Sequence, residues 1–355
     1  MTEATMLEDL FRYNAWANQR IFSLSAELSD AQLDTPREMG FGSLRSTLFH
    51  ILAAEEIWLE RWEGKPWRPF ETQPNGLCLA DIQNRLGRVE HARNEMLSRE
   101  RSAGWQRIVL YKNAKGEEFQ NRLSDLALHV ANHGTHHRAQ ALNFLKQFGI
   151  TVPGGLDYLF FRLAKPHVKQ KPAAVDALRT YGLELESGNS PALDWSRDLT
   201  QMYFSYSDWA NDRLLKLIGT LDSTALDLDL QMGLGTIRKN ALHIYDAEHW
   251  WLRNWTEGTT MYAHSDKSTA INDLCDAWIP HRMRRNEFLN SLDGPSSRRI
   301  VTVQFGGPPL EIPVVESLLQ LGGHGTHHRA QLLNMLRRTG LAVPALDIVV
   351  WLREH

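Results

Sequence analysis

Apolar positions in the first part of the chain recur at helical spacing. Leu7, Leu10, Phe11, Trp16, Ala17, Ile21 and Leu24 predict a helix over residues 5–27. A second stripe, Leu44, Leu48, Ile51, Trp58 and Trp62, follows Ser43, a good N-cap, and stops at Glu63-Gly64-Lys65-Pro66. Ile82, Leu86, Val89 and Met96 predict a third helix over residues 80–101. The period then changes. Residues 105–111 and 117–122, around Asn113-Ala-Lys-Gly116, read as a short β-hairpin. Helical period returns over residues 123–148, until Gly149 and Pro153, and a short helix follows over 156–163. Four long helices joined by longer connections predict a four-helix bundle, all-α apart from the small hairpin.

The pattern then repeats. Tyr13-Asn-Ala-Trp16-Ala-Asn18-Gln-Arg20 returns 193 residues on as Tyr206-Ser-Asp-Trp209-Ala-Asn211-Asp-Arg213. Met39-Gly-Phe-Gly-Ser43 returns as Met232-Gly-Leu-Gly-Thr236, and Phe49-His50 as Leu242-His243. Glu55 and Trp58 match Glu248 and Trp251. His133-Gly-Thr-His136-His137-Arg-Ala-Gln140 recurs unchanged as His324-Gly-Thr-His327-His328-Arg-Ala-Gln331, and Val152-Pro153 and Asp157 match Val343-Pro344 and Asp347. A period this long means two copies of one domain rather than a solenoid. The expected organisation is a first bundle over residues 1–165, a linker over 166–194 with one short helix at 173–181, and a second bundle over 195–355.

Composition narrows the function. The chain has 355 residues, 43% of them apolar, with 39 Lys and Arg against 42 Asp and Glu, a net charge of -3. That balance offers no electrostatic reason for a nucleic-acid or anionic-membrane partner. No apolar run approaches the roughly 18–20 residues of a spanning helix. The first residues lack a basic stretch followed by an apolar one, so no signal peptide is read. Two cysteines, Cys78 and Cys275, suit a reducing compartment, and a cytoplasmic location is expected. They are not equivalent in the repeats, which argues against a shared catalytic thiol. No Gly-rich phosphate loop, His-Glu-x-x-His or Gly-x-Ser-x-Gly is present. Catalytic residues beyond the histidines are not assignable from sequence.

The 15 histidines carry the chemistry. His133 and His137, four apart, project from one helix face and can converge on one ion. His50 on the second helix supplies a third nitrogen; the second set is His243, His324 and His328. Three neutral imidazoles suit Zn, Ni, Co, Fe or Cu and leave a position for water or substrate. Two divalent transition ions per chain are therefore expected. Isolated His-x3-His pairs are more often solvated or satisfied by hydrogen bonds, but here the whole triad recurs in both halves. His136 and His327 point about 100° from the ligand face, which favours a structural place or one beside a ligand. His129 lies one turn before His133, with Gln320 as its counterpart, and is at best such a neighbour. Tyr13, Trp16, Trp58 and Trp62 are candidate pocket residues, though stripe aromatics are more often core. Glu55 and Glu248 lie about 140° from the ligand face, unsuited to ligation. Arg138 and Arg329 are expected to pair with Asp157 and Asp347. Mid-helix Gly134 and Gly325 imply a close helix approach or room for the ion, and Gly322-Gly323 a bend in the second copy.

The His on helix two with Glu and Trp downstream, together with the terminal His-x3-His-Arg-x-Gln, resembles the DinB/YfiT-like superfamily, over both copies. The resemblance implies an up-down-down-up bundle with a divalent ion, often nickel or zinc. It places the ligands on His50, His133 and His137, and on His243, His324 and His328. Some relatives are thiol-dependent isomerases or S-transferases; others are described as metal-dependent hydrolases. Single-domain relatives often dimerise, so the two halves are expected to form an intramolecular pseudo-dimer. The implied function is a metal-dependent enzyme that activates water or a low-molecular-weight thiol for transfer, isomerisation or hydrolysis of a small electrophile. The alternative is a non-catalytic, stress-related protein that binds a metal or ligand.

Overall fold

The computed structural model describes residues 2–100, 104–152, 155–165, 170–180, 183, 192–266, 269–305 and 307–355. The first repeat contributes α1 (Thr2–Ser25), α2 (Asp30–Leu33), α3 (Leu44–Trp62), α4 (Leu79–Arg99), β1 (Ile108–Lys112), β2 (Glu118–Arg122), α5 (Leu123–Gln147) and α6 (Tyr158–Ala164). Of the linker expected over 166–194, residues 166–169, 181–182 and 184–191 lie outside the described residues; the short helix expected there is α7 (Pro172–Thr180). The second repeat contributes α8 (Arg197–Ile218), α9 (Ser223–Asp227), α10 (Ile237–Glu257), α11 (Ile271–Ser291), α12 (Gly294–Ser297), β3 (Ile300–Val303), β4 (Leu310–Pro313), α13 (Val314–Arg338) and α14 (Ile348–Glu354). The chain is all-α with one small antiparallel hairpin per repeat, Ile108 opposite Arg122 and Ile300 opposite Pro313. Among the described residues, no helix is long and apolar enough to cross a membrane.

The chain forms two compact units. The first joins Glu3–Thr151 to Gly340–His355. In it α3 packs against α4 and α5. α1 is tied to α5 where Asn14 Nδ2 donates to the Ala131 carbonyl at 3.0 Å, and to α4 where Asn18 Nδ2 donates to Glu90 Oε1 at 2.9 Å. Each of α1 and α3 thus neighbours both α4 and α5, the circuit of an up-down-down-up bundle. α14 lies against α5, with Ile348 and Val349 buried and the Arg353 guanidinium 4.3 Å from the Phe119 ring centre.

The second unit is Val152–Thr339. Here α10 packs against α11 and α13, and α8 against the same two helices. α6 covers α13. Five bonds hold that tail. Leu159 N donates to Gln320 Oε1 at 2.7 Å, and Gln320 Nε2 to Asp157 Oδ2 at 3.2 Å. Arg162 pairs with Glu316 at 2.6 Å, both side chains buried. Gln170 Nε2 donates to the Glu311 carbonyl, while its Oε1 accepts from Glu311 N. Compact units and sequence repeats therefore divide the chain differently: the last helix of each repeat belongs to the unit built on the other repeat's bundle.

Buried arginines organise both cores. Arg93 is ion-paired with Glu55, both almost fully buried. Arg285 pairs with Glu248 at 2.8 Å and Asp208 at 2.6 Å. Burial raises the Glu248 carboxyl, but Arg285 and His281 outweigh it and hold the pKa at about 2. The repeated glutamates thus serve the core as ion-pair partners. Arg138 donates to Asn14 Oδ1 at 2.6 Å, Asn18 Oδ1 at 3.0 Å and Thr135 Oγ1 at 3.1 Å; Arg329 repeats this with Asn211 and Thr326. The expected pairing of these arginines with Asp157 and Asp347 is not what forms, because neutral amides on the first helix of each bundle reach the guanidinium. These bonds also explain the mid-helix glycines: a Cβ at Gly134 would stand 2.8 Å from Arg138 Nη1 and 3.0 Å from Asn14 Nδ2, and one at Gly325 would stand 2.9 Å from Arg329 Nη1. Where a bend was expected, α13 runs unbroken through Gly322-Gly323, and Gly322 admits the Tyr203 ring.

Candidate metal centres

Ser43 caps α3 by accepting from Ser46 N, and Thr236 caps α10 by accepting from Lys239 N. Each cap sets the helical phase so that the His seven residues on, His50 or His243, faces the fourth helix of its bundle. α5 and α13 each begin at the end of a hairpin strand and carry the i, i+4 pair inward.

In the first unit, His50 Nε2 stands 3.2 Å from His133 Nε2, which stands 3.0 Å from His137 Nε2. In the second, His243 Nε2 is 3.0 Å from His324 Nε2, and one nitrogen from each of His243, His324 and His328 lies within 4.8 Å of the others. Nitrogens around a tetrahedral ion with bonds of about 2.0–2.1 Å sit roughly 3.3 Å apart. His137 Nδ1 lies 2.8 Å from Gln140 Oε1, while Gln140 Nε2 donates to His136 Nε2 at 3.1 Å. The amide's two contacts assign the tautomer: Nδ1 carries the proton and Nε2 is left as an acceptor. His328, Gln331 and His327 repeat the arrangement at 3.0 and 2.9 Å. Imidazole nitrogens 3.0–3.2 Å apart can share a proton or converge on a cation. The donor set thus fits a divalent transition ion in either unit.

Burial keeps these rings neutral. It lowers His50 to about 2, with lesser contributions from the imidazoles of His137 and His136. His133 and His328 are held well below the ordinary imidazole value, first by burial. Burial likewise lowers His243 and His324.

The other predicted residues take distinct places. His136 and His327 anchor the glutamine that orients a triad member. His129 packs edge-on against Trp58 and His133, outside the converging nitrogens. Trp58 also meets Tyr111. Tyr13 lies under the Arg138 guanidinium, and Arg20 covers Trp16. Trp62 meets Phe11 in the core.

The two centres differ in what covers them. In the first unit the Phe41 ring stacks on His50 at 3.8 Å, and Phe70 lies 5.3 Å from it. In the second, Leu234 replaces Phe41, and Tyr262 Oη lies 3.1 Å from His243 Nδ1. All three rings there line a cavity of about 980 Å³ that also contains Asp157, Trp250, Trp251 and Tyr262. Sequence reasoning missed Phe70 and Tyr262, which sit on loops, and the cavity, part of whose wall comes from the tail of the first repeat. Gln140 and Gln331 were visible inside the repeated motif, three residues beyond a histidine.

Comparison with known proteins agrees with this geometry. The DinB family profile matches residues 1–171 and again 196–354. Protein DinB of Bacillus subtilis (strain 168) is 29% identical over 156 residues, which cover 39% of this chain and 84% of that protein. No solved structure matches the chain. With the same three-histidine arrangement in both repeats and a family match over each, the chain belongs to the DinB family as a tandem duplication.

Proposed function

We propose that each repeat binds one divalent transition ion, nickel or zinc, through His50, His133 and His137 and through His243, His324 and His328. We further propose that the chain is a metal-dependent enzyme acting on a small electrophile, by transfer, isomerisation or hydrolysis with water or a low-molecular-weight thiol as nucleophile. The observation that carries this reading is the convergence of neutral imidazole nitrogens beside a cavity of about 980 Å³. Structural sites are normally closed by four protein ligands, whereas three ligands leave a position for reactants. A bound ion supplies Lewis acidity there. The chain's own residues do the rest. Gln140 and Gln331 fix ring orientation and tautomer, Tyr262 holds the orientation of His243, and Trp250 and Trp251 form the apolar wall of the cavity.

A binding-only role is the second reading, and the aromatic cover over the first centre favours it there. Phe41 stacks on His50 and Phe70 packs beside it, where the second unit has Leu234 and Tyr262. The decisive experiment screens metal-loaded protein against electrophiles with water and several thiols, comparing His50→Ala with His243→Ala. Activity lost in either variant supports an enzyme; metal content near two per chain with no turnover supports binding alone.

The reading includes a pseudo-dimer of the two halves, supported by the place of each repeat's tail in the other compact unit. A single compact particle in small-angle scattering is the expected outcome. The free cysteines Cys78 and Cys275 support a cytoplasmic location.

A further inference from the structure

We propose that the pocket between the end of α3, the chain that follows it and the β1–β2 hairpin binds a small organic anion, a carboxylate or phosphate headgroup on an aromatic or aliphatic body. The pocket lies in the first unit, and none of His50, His133 and His137 lines it. The inference therefore stands apart from the proposed metal centres.

The pocket has a volume of about 260 Å³. Arg61, Lys65, Arg68 and Lys112 line it, against the carboxylates of Glu60 and Glu118. Of these cations, all but Arg61 are already paired. Lys65 meets Glu63 at 2.9 Å, Arg68 meets Glu60 at 2.7 Å and Glu56 at 3.1 Å, and Lys112 meets Glu118 at 3.2 Å. Both lining carboxylates are thereby engaged. Among the described residues, no carboxylate comes within ion-pair distance of Arg61. Its guanidinium lies 4.6 Å from the Trp58 ring centre and 5.8 Å from that of Tyr111. The Tyr111 hydroxyl donates to Asn121 Oδ1 at 2.9 Å. Burial lowers Arg61 to about 10, so it stays charged at neutral pH. The second nearby guanidinium is Arg353 of α14, beside the Tyr111 hydroxyl and 4.3 Å from the ring centre of Phe119, which lines the pocket. It too has no ion-pair partner among the described residues. Two unpaired guanidiniums repel each other, and a planar anion that takes the Arg61 fork relieves both that repulsion and the cost of partial burial.

The rest of the lining suits the body of such a molecule. Ile57, Trp67, Leu110 and Phe119 supply apolar surface, and Trp67 and Leu110 are 49% and 75% exposed. Trp67 Nε1 donates to the Asn113 carbonyl at 3.1 Å, so the indole is tied to the hairpin with its polar edge satisfied. A neutral molecule would cover these side chains and leave Arg61 uncompensated; a cation would face Arg61 and Arg353. A divalent ion on the first triad would add positive charge to this unit and so would not oppose an anion. The second repeat has no such cation: Asn254 stands at the position of Arg61, and its Nδ2 donates to the Thr259 and Thr302 carbonyls at 2.8 and 2.7 Å.

The test is an NMR titration, observed on the ligand, of the full-length chain with benzoate, phenyl phosphate and benzyl alcohol, run on metal-loaded and on metal-free protein. At least one anion is expected to bind about tenfold more tightly than the alcohol, the worth of hydrogen bonding to a charged group; the tighter anion names the headgroup. Arg61→Gln should reduce that ratio to about twofold or less in both preparations, and Arg61→Lys, which keeps the charge without the fork, to an intermediate value. Arg353→Gln changes an exposed residue and reads the same site should the Arg61 variants misfold; it should narrow the ratio about threefold. Trp67→Ala should weaken all three probes alike, by about threefold. Equal binding of anions and alcohol, a ratio unaltered in Arg61→Gln, or an anion preference that disappears with the metal and so belongs to the histidine centres would overturn the proposal.

Discussion

Gln140 stands between two histidines, its Oε1 2.8 Å from His137 Nδ1 and its Nε2 3.1 Å from His136 Nε2. Only the first of these rings turns its other nitrogen toward His133. The amide therefore sets the ligand, and His136 sets the amide. His137→Ala is expected to abolish metal binding at the first centre. Gln140→Ala should weaken it about 10–100-fold, the usual range for a group that orients a metal-bound histidine. His136→Ala should have the smallest effect of the three. Equal losses in zinc-binding titrations of His137→Ala and His136→Ala would show that the helical phase assigned here is wrong.

Metal content gives the second expectation. Gently purified protein should carry close to two ions per chain, His133→Ala or His324→Ala one, and the double variant none. Elemental analysis with protein quantification checks this. A ratio near zero, after protection from chelators, would remove the proposed function.

The metal-free protein should lose stability on acidification. His129 and His50 are held at about 3 and about 2 in the fold, chiefly by burial, against about 6.5 in an unfolded chain. Below pH 6.5 the unfolded chain thus takes up protons that the folded rings refuse. Stability is full above that pH and falls as the pH drops toward 3. Denaturant midpoints at pH 7.5, 6 and 5 should decrease in that order. His129→Gln, which copies the residue of the second repeat, should flatten the dependence. In loaded protein, ions should leave over the upper part of the same range, since protonated imidazole cannot ligate.

Two glycines on equivalent helices should respond oppositely to alanine. Gly134→Ala drives a methyl group against Arg138 and Asn14, whose buried side chains are held by bonds on several sides. A loss of about 1–3 kcal/mol is expected, as for other overpacked cores. A Cβ at Gly323 meets nothing within 4 Å. Gly323→Ala should raise stability by up to about 1 kcal/mol through helix propensity. Thermal or chemical unfolding of the two variants measures both effects.

Helix phase made much of this molecule legible in its sequence. The stripe from Leu44 to Trp62, with Ser43 as cap, is α3 residue for residue, because a cap and a Gly-Pro stop mark both ends. The hairpins and the repeat were equally plain, and the spacing of His133 and His137 pointed directly at convergence. What periodicity cannot encode is which bundle a short amphipathic helix will cover. The tail around Asp157 therefore read as a continuation of its own repeat. The arginine pairing failed for a related reason: opposite charge suggested Asp157 for Arg138, while the amides of Asn14 and Asn18 lay a hundred residues away on the neighbouring helix. Tyr262 sits on a loop whose sequence carries no period, so nothing marked its approach to His243.

The division of the first compact unit into Glu3–Thr151 and Gly340–His355 bears on how the chain acquires its structure. A growing polypeptide ordinarily lets its first domain fold while the next is still being made. Here the bundle of α1, α3, α4 and α5 emerges early but must wait for Ile348 and Val349 before α5 gains its last cover. The second unit waits for nothing, since its borrowed tail precedes its own bundle. Synthesis therefore completes the later repeat's unit first and leaves an uncovered apolar strip on the earlier one for the whole interval. In the cell, that interval is when a chaperone would find the chain.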